Sequence, residues 1–96
     1  MLYSQLMVTE TKIKFRNRLR GFIRSKGIGD PDKWLAEKLD RTVPTIYAMY
    51  TDIETSKQKT SRRLMVDALP VKVGELLASK EPNPVHGMLE DAGWEG

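Results

Sequence analysis

Two proline-marked helix starts, Asp30-Pro31 and Thr42-Val43-Pro44, stand close together and bracket one short apolar-periodic segment. Proline fits the first turn of a helix because the N–H it lacks has no intrahelical partner there. An Asp or Thr ahead of it accepts bonds from the N–H groups that remain. The chain must therefore place one short helix, Pro31 to Leu39, directly before another that begins at Val43. Only a tight turn can join them. The first helix of the pair buries Leu35, Ala36 and Leu39, with Trp34 at its edge, and the second turns Ile46, Met49 and Tyr50 inward. Two short helices meeting steeply need a small residue at the crossing, a backbone that turns left-handed after it, and an apolar plug in the second helix. Ala36, Asp40 and Ile46 meet these needs in order, Asp entering the left-handed region more readily than most residues.

The remaining segments also read as helices, and no strand-like alternation lasts long enough to compete. A first helix is expected from Thr9 or Thr11 to Lys26, with Phe15, Leu19, Phe22 and Ile23 on one face and Gly27 at its C-terminal end. Its other faces carry Lys12, Lys14, Arg16, Arg18, Arg20, Arg24 and Lys26. The stretch Thr51 to Ser56 reads as a loop that extends into Lys57-Gln58-Lys59. A fourth helix should start near Thr60 or Ser61, bury Leu64, Met65, Ala68 and Leu69, and stop at Pro70. Val73, Leu76 and Leu77 suggest a short fifth helix. A last apolar stripe of Val85, Met88, Leu89 and Ala92 follows Asn83-Pro84 and ends at Gly93.

The expected fold class is all-α: a compact bundle of about five short helices containing a helix-turn-helix, plus a short C-terminal helical tail. By region, residues 1–10 read as an N-terminal extension, with Met7 as an alternative start. Residues 11–70 read as the helix-turn-helix domain and 71–96 as a C-terminal helical segment. Ninety-six residues allow one domain. An apolar share of 40% allows one modest core.

Cysteine is absent, which excludes disulfides, thiol catalysis and cysteine-ligated zinc. No apolar run approaches the ~20 residues that span a bilayer. The start Met1 to Val8 lacks a basic region followed by an apolar stretch, so it does not read as a signal peptide. A cytoplasmic protein is expected. The lone histidine, His86, has no metal-ligand spacing around it, and Glu90-Asp91 point apart on a helix and make a poor acid–base pair. Gly27-Ile28-Gly29 is too short for a phosphate loop. No metal, cofactor, small-molecule substrate or catalytic activity is expected.

The net charge of +3 conceals a division. Residues 1–63 carry fourteen Lys/Arg against seven Asp/Glu, whereas 64–96 carry two against six. Such a split fits a polyanion-binding face, although surface cations also serve solubility.

The run Trp34 to Tyr50, with Ala36, Asp40 and Ile46 at their spacing, resembles the helix-turn-helix family of the phage lambda repressor and Cro type. The basic first helix and Arg62-Arg63-Leu64-Met65-Val66-Asp67-Ala68-Leu69 extend the resemblance over about residues 13–70. The chain departs from that pattern where Asp40 replaces the usual turn glycine. It departs again where Asp32 stands near the place of a phosphate-holding glutamine, and the Ser25–Asp30 link is slightly long. The resemblance implies binding of double-stranded DNA with helix 43–51 in the major groove, usually as a homodimer on two half-sites. It implies base-facing positions at Val43, Pro44, Thr45, Tyr47 and Ala48, and phosphate contacts from Lys33, Arg41, Thr42, Lys57, Lys59 and Arg62.

The base-facing set holds no Arg, Asn or Gln for a bidentate base contact, which implies modest direct readout and affinity drawn mainly from backbone charge and DNA shape. The same lack supports a different reading, a helix-turn-helix that docks on another protein. For Val71 to Trp94 two readings stand side by side: a dimer contact, or closure of this chain's own core.

Overall fold

The computed structural model describes residues 13–55 and 63–94. Among them are five helices: α1 (Phe15–Ser25), α2 (Pro31–Leu39), α3 (Val43–Thr55), α4 (Arg63–Gly74) and α5 (Val85–Asp91). The expected all-α bundle is what forms. α3 lies against α1 and α2, α4 packs on α2, and α5 closes the other side against α1 and α4.

Apolar spacing explains why these faces turn inward. Phe15, Leu19 and Ile23 of α1 meet Leu35, Ala36 and Leu39 of α2 and Ile46, Met49, Tyr50 and Ile53 of α3 in one buried cluster. Met65, Val66, Leu69 and Val73 of α4, then Val85, Met88, Leu89 and Trp94, complete it. No helix among the described residues is long and apolar enough to cross a membrane.

The punctuation read from the sequence operates as physical caps. Asp30 accepts the Lys33 backbone N–H at 3.2 Å and Pro31 occupies the first turn of α2. Asp40 ends α2 in the left-handed conformation (φ 56°, ψ 51°), which frees the chain to enter α3 within three residues. Gly27 (φ 92°) and Gly93 (φ 87°) leave α1 and α5 in the same region, where a Cβ is strained. The Thr42 carbonyl accepts the Ile46 N–H at 3.1 Å to begin α3.

Five expectations are corrected. α1 begins at Phe15; Thr9 and Thr11 lie outside the described residues. The start is capped from a distance, because Glu54 at the far end of α3 accepts the Arg16 backbone N–H at 3.0 Å. α3 does not end near Thr51 but continues to Thr55, since Ile53 falls on the buried face, and the Thr51 and Thr55 hydroxyls bond back to the carbonyls of Tyr47 and Thr51 within it.

Pro70 does not stop α4 either. The helix runs through it to Gly74 because Leu69 and Val73, both fully buried, anchor the turns on either side. The side chain of Asn83 donates to the Pro70 carbonyl at 2.9 Å and its own carbonyl accepts the Val85 N–H, tying α4 to the start of α5. Leu64, expected inside, is 80% exposed, because Val66 and Val73 join Met65 and Leu69 to define the buried face instead. No separate helix forms around Leu76 and Leu77; Val73 belongs to α4, and the two leucines close turns onto the Val73 and Gly74 carbonyls.

Candidate nucleic-acid interface

Most of the candidate residues lie in the α2–α3 turn or the first turns of α3. Arg41 and Thr42 in the turn, and Pro44 and Tyr47 on α3, are exposed, and so is Lys33 on α2. Thr45, Val43 and Ala48 are half-buried, and Val43 packs against the core. Val43 is therefore as much a part of the core's edge as of the outer face. Lys57, Lys59 and Arg62 lie outside the described residues.

The hydroxyls of Thr42 and Thr45 lie 3.0 Å apart and share a hydrogen bond. A hydroxyl both donates and accepts, so each keeps capacity for a further partner. Arg41 donates from Nη1 to the Asp40 carbonyl at 2.9 Å, which holds its stem along the turn. Among the described residues neither Lys33 nor Arg41 has a carboxylate partner in an ion pair, in contrast with most cations of α1.

That contrast changes the meaning of the charge division. Arg18 pairs with Asp91 at 2.7 Å, Lys26 with Glu81 at 2.6 Å, and Lys38 with Glu75 at 3.2 Å. Each bond joins the basic part of the chain to its acidic part. Much of the positive excess read along the sequence is thus neutralised within the fold.

Behind the α3 face lies a network that sequence spacing alone does not disclose. Asp32 accepts Arg20 Nε and Nη2, each at 3.0 Å, and the Tyr50 hydroxyl at 2.7 Å. Burial alone raises the Asp32 carboxyl, but the Arg20 and Tyr50 hydrogen bonds and the nearby Arg20 and Arg24 charges outweigh it and hold it below the usual range. Burial also raises the Tyr50 phenol, and the bond to ionised Asp32 adds to it. The available signal was Tyr50 itself: an inward tyrosine must find a partner for its hydroxyl. Which carboxylate answers depends on how three helices pack.

A second bond set ties α1 to the end of α3. Arg16 grips Glu54 through Nε at 2.9 Å and Nη2 at 2.8 Å, and its backbone N–H adds a third contact. Burial opposes ionisation of Glu54, but these bonds prevail and hold its carboxyl below the ordinary value.

No group of three or more His, Asp or Glu that could hold a metal occurs among the described residues. No family model, curated protein or solved structure matches the chain.

Proposed function

We propose that this chain binds double-stranded DNA by setting the first turns of α3 into the major groove. The observation that carries the reading is the turn itself: left-handed Asp40 leads the chain directly into α3, where Pro44 and Tyr47 are exposed, and the exposed cations Arg41 in the turn and Lys33 on α2 have no carboxylate partner among the described residues. Hydroxyls at Thr42, Thr45 and Tyr47 can bond bases or phosphates, and the Pro44 and Ala48 surfaces can contact thymine methyls. Direct readout is modest on this view, and Lys33 and Arg41, with Lys57, Lys59 and Arg62, supply backbone affinity.

The corresponding biological role is a small phage or bacterial transcription regulator, cytoplasmic and held at the nucleoid by its DNA. One recognition helix covers few base pairs, so useful specificity calls for two copies on two half-sites. Val73, Val85, Met88 and Leu89 are buried in this chain's own core. A dimer contact must therefore draw on other surface, such as the exposed Leu64 and Val71 of α4. Sedimentation at micromolar concentration tests it, and a strict monomer on DNA as well as off it rules it out.

A protein-docking role is the second reading, favoured by the absence of Arg, Asn and Gln from the outward positions of α3. Polarisation titrations against labelled duplex fragments at two salt concentrations separate the two. DNA binding predicts a preference among fragments that survives at physiological salt. Binding without preference that vanishes at that salt points to docking.

A further inference from the structure

Tyr47 is 45% exposed, yet its ring is tethered. The Arg20 guanidinium lies 5.9 Å from the Tyr47 ring centre and 5.2 Å from that of Tyr50, the two rings being 6.4 Å apart. Arg20 is itself gripped by both Asp32 oxygens, and Asp32 takes the hydroxyl of fully buried Tyr50. A line of contacts thus runs from the core, through α2 and α1, to an exposed ring on α3. A bidentate fork fixes the plane of a guanidinium, and the cation then attracts an aromatic face.

We propose that Arg20, Asp32 and Tyr50 are positioning residues that hold the Tyr47 ring in its outward pose and so govern duplex affinity through Tyr47 without touching DNA. This rests on the DNA-binding reading above. A ring ordered before DNA arrives loses less freedom on binding than a loose one. The Asp32 carboxylate offers only acceptors and cannot bond a phosphate, so its influence on DNA has to pass through the groups that it holds. Arg20 is mostly covered, with its side chain 22% exposed, and Asp32 already takes two of its N–H donors.

The test is a double-mutant cycle of Arg20→Gln and Tyr47→Ala, read by polarisation titration of a short mixed-sequence duplex at two salt concentrations. Arg20→Gln is expected to weaken binding about three- to fivefold, the size of one exposed cation–π contact. In the Tyr47→Ala background it should cost nothing further, and the salt slope should stay as in the parent protein. A loss that persists without Tyr47, or a slope that falls by about 0.9, marks a direct phosphate contact and overturns the proposal. Tyr50→Phe, which removes one oxygen and keeps the ring, should reproduce the Tyr47-dependent loss. In the free protein, both Arg20→Gln and Tyr50→Phe should move the NMR resonances of the Tyr47 ring protons, and unmoved resonances overturn the positioning. If the parent protein binds no duplex, the DNA reading falls and the affinity effect with it. The ring resonances then still decide whether the positioning itself holds.

Discussion

The Tyr50 hydroxyl has left water completely, and the Asp32 carboxylate, 2.7 Å away, compensates it. A hydrogen bond to a charged group contributes about 1.5–3 kcal/mol, so Tyr50→Phe should destabilise the fold by about that much in urea unfolding. The variant should also change the alkaline limb. Tyr50 has its phenol raised above the ordinary 10.0 when folded. Its contribution is therefore fully present below pH ~10 and is lost as pH rises through the folded value, because the unfolded chain ionises first. Tyr50→Phe should flatten that limb in thermal melts; an identical alkaline loss in both proteins would refute the linkage. Asp32 and Glu54 act with the opposite sign. Both are held below their ordinary values of 3.8 and 4.5, so their contribution is present above about pH 5 and fades as acid reaches the folded values. Asp32→Asn should reduce the slope of stability against pH below about 4.5, at some cost in stability near neutrality.

Among the elements, those bounded by local chemistry were legible and those bounded by distant contacts were not. Asp30-Pro31 and Asp40 mark α2 because its caps lie within a few residues of its ends. The start of α1 depends on Glu54, thirty-eight positions away from the N–H that it accepts, and no window of sequence displays that bond. The last turn of α3 looks polar in sequence, yet Ile53 and the Arg16–Glu54 grip retain it. Pro70 misled in the same way: removing one helical bond costs about 3 kcal/mol, and burial of Leu69 and Val73 on either side outweighs it. The crossing of α2 and α3 was read from spacing, and Ala36, 6% exposed, stands in the buried cluster where both helices meet. Ala36→Leu should therefore overpack that site, at a cost of about 1–3 kcal/mol measured by denaturant unfolding. Unchanged stability would mean that the helices can spread without penalty and that the spacing argument had the wrong residue at the crossing.

Over the whole molecule, the charge division legible in the sequence turns into a set of internal bridges. Arg18, Lys26 and Lys38 face Asp91, Glu81 and Glu75, so the number of cations free for a polyanion is smaller than the composition suggests. This is why the candidate surface could be located by its spacing while its strength could not be read from net charge. A cation already held by a carboxylate is less free to neutralise a DNA phosphate, and so displaces fewer of the counterions condensed on the DNA. The two classes of cation should consequently differ in one measurable quantity. Lys33→Ala and Arg41→Ala should each reduce the magnitude of the log–log salt slope by about 0.9 and weaken all duplex sequences alike, as loss of a phosphate contact does. Arg18→Ala, which removes a cation bonded to Asp91 on the α5 side of the bundle, should leave that slope unchanged. Slopes unchanged from the parent in both Lys33→Ala and Arg41→Ala would show that these two cations do not face the phosphates. A reduced slope for Arg18→Ala alone would move the DNA-facing surface to the α1–α5 side of the molecule.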